Sequence, residues 1–590
     1  MKKKQLLSMV VVPAMAAGLV GCNTTSKSAS LKDGTYTTET TGHNGPITVS
    51  LTIADGKIAS VDASENVETK GIGSVAIDKI TNTVVEKQTV NLDTATGATI
   101  TSGAVIRALK DNLKQAGATD DSINAMDKET INQVLEKNEY TYDVVVIGAG
   151  GAGLTAAITA AESGAKVVVL EKTSQVGGNT LVSGGGINIP GTDLQEKNGI
   201  EDSVELYKED TLKGGDNLAN PELVDTMANN ALDAYHWLVD DVHMEFIQDR
   251  VQQFGGHSVP RAAIPVGNSG YEMMSKLENL AVNKGIDIFK NTSAKSLMTD
   301  GSAVSGVIAE NAGNEITIHA SKSVILASGG FGSNVEMREE YNPEYGSQYK
   351  TTCISASSGD GIVMAQAVGA NLVDMSQIQV YPTCNPQTGI ISYVANSRFD
   401  GAVLVNQEGK RFVNDMGRRD VISNAILNQP GKYAYLLWGQ EVETVGNMTK
   451  LHENEYNNFV NSGLLFKADT LEELAKEADI DYDTLKQTID TYNQYALAGS
   501  DPEQNRGGKL RTIAEGPFYL QKVAPATHHT MGGVVINTNA QVLNTDGDVI
   551  ENLYAAGEVT GGIHGTNRLG GNAITDIVVF GRIAGKNAAE

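Results

Sequence analysis

The segment Val144-Val145-Val146-Ile147-Gly148-Ala149-Gly150-Gly151-Ala152-Gly153 sets the architecture of this chain. From Tyr142 an apolar run predicts a buried strand, which enters a glycine-rich turn and then an alanine-rich helix over Leu154 to Glu162. A second strand follows over Val167 to Leu170, which completes a βαβ opening. Gly148 permits the tight turn, Gly150 lets a pyrophosphate approach the backbone, and Gly153 lets helix and strand pack closely. The pyrophosphate then lies at the positive end of the helix. Glu171, about 20 residues on, is placed to accept from ribose hydroxyls. Strand, helix and acid stand in the required order, which distinguishes the segment from an incidental glycine turn. The motif alone does not separate FAD from NAD.

Gly557 to Glu590 returns to the same style, with many glycines before an amphipathic closing helix. Between these ends lies a longer polar block rich in Asn, Tyr and acidic helices. The simplest architecture is α/β: a discontinuous Rossmann-like nucleotide domain (141–375 and 529–590) with an inserted α+β capping domain (376–528). Upstream, residues 33–117 alternate short strand-like runs, such as Ile47 to Ile53, with turns such as Asp55-Gly56, and end on a helical pattern around Ile106 to Lys110. They predict a small α+β domain. Residues 118–140 suit a linker helix.

The N-terminus carries Lys2-Lys3-Lys4 and an apolar run from Leu6 to Val20, the form of a secretion signal. That run is short for a permanent membrane-spanning helix. Leu19-Val20-Gly21-Cys22 resembles a bacterial lipobox, in which Cys22 would be lipidated. Residues 1–22 then read as a lipoprotein signal peptide and 23–32 as a polar tether, so the mature protein is expected outside the cytoplasm, anchored to the cell membrane by lipid. A formal charge of −26 argues against nucleic acid as a partner. The other two cysteines, Cys353 and Cys384, are too few and too far apart for a cysteine-based metal site; a disulfide between them stays open.

Gly177-Gly178-Asn179-Thr180, Ser183-Gly184-Gly185-Gly186, Ala327-Ser328-Gly329-Gly330-Phe331-Gly332 and Ala555-Ala556-Gly557-Glu558 resemble, in order, the FAD contacts of the soluble fumarate reductase and succinate dehydrogenase flavoprotein family. The likeness covers about residues 140 to 590. It implies FAD contacts at Asn179, Thr180, Gly185, Gly186, Gly330, Glu558 and Gly571, beside the cradle glycines and Glu171. No histidine stands near Asn179-Thr180, where membrane-complex members attach FAD, so FAD is expected to be non-covalent. A second segment, Asp93-Thr94-Ala95-Thr96-Gly97-Ala98-Thr99, resembles the FMN-binding domain in which a flavin transferase links FMN phosphate to a threonine hydroxyl. By that likeness Thr99 is the acceptor for covalent FMN and Asp93 part of the attachment signal. The bland reading is a Thr-rich turn with Thr101 or Ser102 capping a helix.

His528-His529-Thr530-Met531-Gly532-Gly533 and His564-Gly565-Thr566-Asn567-Arg568-Leu569-Gly570-Gly571-Asn572-Ala573 resemble the same family's substrate motifs. They imply that His528 and Arg568 grip a substrate carboxylate and draw charge from the adjacent C=C bond. The family's catalytic acid is the Arg before an Asp, here Arg419 before Asp420; the bland alternative is a structural Arg419–Asp420 pair. Arg398 matches the relay arginine that resupplies the proton. Two positions depart from the fumarate pattern. Tyr381-Pro382-Thr383 has Tyr where those enzymes have His, and Val394-Ala395-Asn396-Ser397 lacks the Thr-Glu that precedes their relay Arg.

Tyr381 is similar to the urocanate reductase branch, which is expected to set an acid against an imidazole. Asn396 occupies that place, and Asp400 is the weaker candidate. The implied activity is reduction of α,β-unsaturated carboxylates, urocanate- or other acrylate-type, in anaerobic respiration. A membrane quinol or flavin carrier would feed FMN and then FAD. Fumarate reduction is the alternative within the class; an extracellular flavin electron carrier and a solute-binding lipoprotein are alternatives outside it.

Overall fold

The computed structural model describes residues 31–590. The signal segment, Cys22 and most of the tether lie outside the described residues. Among the described residues no helix is long and apolar enough to cross a membrane.

The small N-terminal unit is a three-stranded antiparallel meander, Gly34–Thr41, Pro46–Ala54 and Lys57–Asp62, covered by helices Gly73–Lys87 and Thr99–Gln115. Strict alternation puts Ile47, Val49, Leu51 and Ile53 on the inner face, all buried. Val105, Leu109 and Leu113, four residues apart, form the stripe by which the second helix covers them. At Asp55-Gly56 both residues take positive φ (52° and 69°), as a two-residue hairpin turn matched to strand twist requires.

The linker is not the helix expected over 118–140. Only Asp120–Asn124 is helical, opened by a Thr119 capping box, and the next strand already begins at Glu139. Tertiary partners take the backbone donors that a helix would need. Ile131 N–H donates to Asp93 Oδ1 at 2.9 Å, Gln133 N–H to Asn291 Oδ1 at 2.8 Å, and Leu135 N–H to Asn311 Oδ1 at 2.9 Å. The segment is an extended strap joining the two units.

The nucleotide unit is built on an eight-stranded sheet. Its centre is parallel: Asn314–Leu326 pairs with Glu139–Ile147 and Val549–Ala555, and Glu139–Ile147 pairs with Val167–Leu170, which pairs with Asp287–Phe289. Val144, Val145 and Val146 are all fully buried, as central parallel strands with neither face open to solvent are. The cradle helix Gly151–Glu162 packs against the closing helix Asn572–Ala588. Between residues 376 and 530 an antiparallel five-stranded sheet with flanking helices forms the cap; its strands are Ile378–Cys384, Phe518–Thr530, Ala434–Trp438, Val403–Val405 and Leu465–Ala468. The Rossmann-like α/β unit, the inserted α+β cap and the small α+β unit are thus all present. Cys353 and Cys384 are both buried and unpaired.

Candidate active site

One long cleft runs from the glycine turn, under the cap, to the arginines. At its nucleotide end lie Gly148, Gly150, Glu171, Asn179 and Thr180, and farther along Gly185, Gly186, Glu558 and Gly571. A Cβ on Gly184 or Gly329 would meet no protein atom within 4 Å, so the space there belongs to the cleft. Gly153 and Gly330 do not face it. Gly153 abuts the turn and Gly330 abuts Thr530 and Glu558, so each permits close packing that shapes the wall. Glu171 receives Ala149 N–H at 3.0 Å and Thr173 N–H at 2.8 Å, and Glu558 receives Thr530 N–H at 3.0 Å and Asn179 Nδ2 at 3.1 Å. Burial raises both carboxyls above the usual range, and these donors pull the other way. The glycine floor, helix N-terminus and anchored acid fit the dinucleotide that the sequence predicts.

At the other end Arg419, Arg568, His528, Tyr381 and Asn396 all line the cleft. Strand Phe518–Thr530 runs from cap to nucleotide unit and bears His528 at its end. Gln379 pairs with His529 but Val380 pairs with Thr527, so His528 is the extra residue of a β-bulge. The bulge lets consecutive His528 and His529 both face the cleft, which a regular strand forbids. Burial and then the nearby Arg419 and Arg568 hold His528 well below its ordinary pKa, so the ring is neutral. In the tautomer whose Nδ1 accepts from Thr352 Oγ1, at 2.7 Å, Nε2–H is left as a donor.

Arg419 does not pair with Asp420. Arg418 takes that carboxylate, at 2.9 Å, and also Asp216 of the nucleotide unit, at 2.6 Å. Arg419 is left to stack over Tyr381, 4.7 Å from the ring centroid, and to donate to Gln379 Oε1 at 3.1 Å. Arg568 donates to the same oxygen at 2.9 Å. Gln379 is almost fully buried, and its Nε2 is fixed by Asn567 Oδ1 at 2.7 Å and Arg568 O at 2.6 Å. Two guanidiniums therefore converge on one neutral carbonyl oxygen, and neither has a carboxylate in ion-pair contact among the described residues. Burial, with Arg419's charge beside it, pushes Arg568 down to about 9; burial, with Arg398 nearby, pushes Arg419 to about 10. An anion placed between them relieves that repulsion.

Arg398 lies outside the cleft wall, 3% exposed, its guanidinium over Phe399 and its Nη1 near Asp415 O at 3.4 Å. Burial lowers its pKa, and neighbouring Tyr381 opposes that. Asp400 does not reach the cleft. Its side chain is bound to Arg250 at 3.2 Å, which removes it as a partner for a substrate ring. Asn396 stays on the wall in a turn whose amides, Tyr393 and Val394, are held by Glu455 at 3.0 Å. Gln379 was missed by sequence reading. Its only signal is its place two residues before Tyr381 on one strand.

Thr99 is exposed at the first turn of helix Thr99–Gln115 and lines a second cavity, between the small unit and the rest. Neither Thr101 nor Ser102 caps this helix; its N-cap is Ala98, which has no side-chain bond to offer. Asp93 faces the strap instead, accepting from Thr130 Oγ1 at 2.6 Å and Asn132 Nδ2 at 2.9 Å. Ile354, Ile391 and Tyr393 line both cavities, so one layer of side chains separates them.

Comparison with known proteins follows the same division. Residues 143–574 match the FAD binding domain family and residues 42–114 the FMN-binding domain family. The chain is 42% identical over 558 residues to the urocanate reductase of Eggerthella lenta, covering 94% of this chain and 92% of that protein. It is 34% identical over 617 aligned positions to the NADH:acrylate oxidoreductase of Vibrio harveyi, covering 94% of this chain but 61% of that longer protein. The open conformation of a flavocytochrome c3 fumarate reductase superposes with a TM-score of 0.63 at 38% identity, covering 76% of this chain and 78% of that one.

Proposed function

This chain belongs to the flavoprotein family of the urocanate and fumarate reductases, and from that premise we infer that it reduces the C=C bond of an α,β-unsaturated carboxylate. The observation that carries the reading is the pair Arg419 and Arg568 sharing the Gln379 oxygen, with no carboxylate in ion-pair contact with either among the described residues. Buried charge without a direct ion-pair partner is costly, so the pair is suited to an anion supplied from outside. Arg568 and neutral His528 hold the substrate carboxylate, and the guanidinium fork polarises the conjugated bond. FAD, when bound in the cleft, supplies the electron pair to the β-carbon. Arg419 gives its proton to the α-carbon, and its lowered pKa brings it nearer the range in which a general acid is effective. Arg398 restores that proton, a role supported by its burial beside Tyr381.

Electrons enter through FMN carried covalently on Thr99 through its phosphate. Thr99 supports this by standing exposed at a helix N-terminus, where a phosphate is stabilised, in a cavity one side-chain layer from the FAD cleft. A flavin transferase makes the link. The signal-like N-terminus supports a lipid-anchored protein outside the cytoplasm, fed by a membrane quinol or flavin carrier in anaerobic respiration.

The direct experiment is reoxidation of the dithionite-reduced protein. Acrylate-type compounds are expected to restore the oxidised flavin spectrum at least about tenfold faster than buffer. If no unsaturated carboxylate does so, the protein is not such a reductase. Thr99→Ala is expected to remove the FMN that survives denaturation and to leave releasable FAD in place. Denatured variant that still carries bound FMN would move the attachment elsewhere.

A further inference from the structure

The far end of the cleft carries a second message, which rests on the carboxylate-reductase reading above. Four carboxylates line the cleft: Glu171, Asp360, Glu558 and Asp576. None belongs to the cap, and each is engaged. Backbone amides hold Glu171 and Glu558; Lys172 holds Asp360 at 2.7 Å, and His564 lies 3.2 Å from Asp576. Asp400 is tied to Arg250. Among the described residues, no carboxylate on the cleft wall is left free to pair with an imidazolium.

A second substrate carboxylate fares no better. The cationic side chains on the wall are Lys172, bound to Asp360, and the two arginines that serve the first carboxylate and the proton. What the wall presents beside Arg419 is aromatic and neutral. Phe254 from the nucleotide unit meets Phe399 from the cap edge to face, with centroids 5.5 Å apart. A Cβ on Gly570 would stand 2.8 Å from Phe254 Cγ and 3.2 Å from Arg419 Nη2, so the ring pair borders the proton donor directly. Tyr393, Ile391 and Asn396 continue the wall, adding one neutral amide.

We propose that the substrate is a 3-arylacrylate: one carboxylate for Arg568 and His528, a conjugated C=C bond, and an uncharged aromatic ring that packs against the wall formed by the Phe254–Phe399 pair. Aromatic rings favour offset and edge-to-face contacts of this kind, and an uncharged ring enters without leaving a buried charge unpaired. The reaction adds two electrons and two protons. The C=C π bond breaks, the β-carbon gains a hydride from reduced FAD, the α-carbon gains the Arg419 proton, and a solvent proton restores Arg419 through Arg398. The product is the 3-arylpropanoate.

The test uses reduced holoprotein and four oxidants at matched concentrations: cinnamate, urocanate, fumarate and acrylate. Cinnamate is expected to reoxidise it at least about tenfold faster than urocanate or fumarate, the order of discrimination that apolar pocket contacts provide. Phe399→Leu is expected to lower the cinnamate-to-acrylate rate ratio by about tenfold. On the unaltered protein, 3-phenylpropanoate is expected to inhibit more tightly than succinate, which reads the same pocket without a variant. Urocanate or fumarate matching cinnamate, an unchanged ratio in Phe399→Leu, or succinate binding as tightly would overturn the aryl assignment. Those results leave the C=C reductase reading intact; failure of all four oxidants removes both.

Discussion

Arg419→Ala is expected to lower kcat for the unsaturated carboxylate by about 10³, within the range for loss of a positioned general acid and equivalent to about 4 kcal/mol in the barrier. The side chain makes few structural contacts: one hydrogen bond to Gln379 and the stack on Tyr381. The neighbouring Arg418 holds the ion pairs that fasten this corner of the cap to Asp216. Folding and FAD content are therefore expected to stay near those of the parent protein. KM is expected to change much less than kcat, because the carboxylate grip proposed for Arg568 and His528 is left in place. Single-turnover reoxidation of the reduced flavin isolates the step from any upstream electron donor. A loss smaller than about tenfold would remove Arg419 as the acid. Arg398→Ala, acting one position behind, is expected to slow steady turnover more than the first turnover.

A second large effect separates cofactor binding from folding at the cradle. Gly150 and Gly153 belong to one motif but face different neighbours. A Cβ on Gly150 would come no closer than 4.0 Å to other protein atoms and would project beside the cleft floor. A Cβ on Gly153 would lie 1.9 Å from Gly148 O, which no real contact allows. Gly150→Ala is expected to leave the unfolding temperature of flavin-free protein nearly unchanged. Its FAD affinity is expected to fall by roughly 5- to 150-fold, if crowding costs about 1–3 kcal/mol. Gly153→Ala is expected to lower both, since the helix must lift from the strand. Fluorescence titration with FAD and thermal melts of the apoprotein measure the two quantities. Equal destabilisation by both substitutions would contradict the separate roles.

Gly148 shows how such a residue is selected by local conformation. Its φ of +105° suits glycine, and a Cβ there would meet Ala327 O at 2.4 Å. These requirements act over a few residues, so they leave a readable pattern. The same holds for Asp55-Gly56 and for the alternating strand Pro46–Ala54, whose outcomes follow from turn geometry and period. The order of strand, turn, helix and acid, the α/β class, the inserted cap and the separate N-terminal unit were all legible on such grounds. So were the identities of Arg419, Arg568 and His528 as residues gathered in one cleft, since they sit in short distinctive motifs.

The missed features depend on residues far apart in the chain. The strap at 118–140 carries weak helical periodicity, yet Asp93, Asn291 and Asn311 claim its amides from other elements. Asp400 reads as a free acid until Arg250, 150 positions earlier by number, is folded against it. Gln379 sits in no motif, but it joins the two arginines by one oxygen, and that junction exists only when cap and nucleotide unit meet. The bulge that turns His528 into the cleft is a property of strand register, invisible in either strand alone.

By itself, then, the sequence determined which elements form, which flavins their motifs suit, and which side chains carry charge to the site, because backbone conformation and periodicity are local. Only the tertiary structure decided which of those charges lack a direct ion-pair partner among the described residues, and that the far wall is aromatic and neutral. A counter-ion, a shared carbonyl or a ring pair is defined by distance across the fold, and the electrostatic worth of a group depends on what burial places beside it.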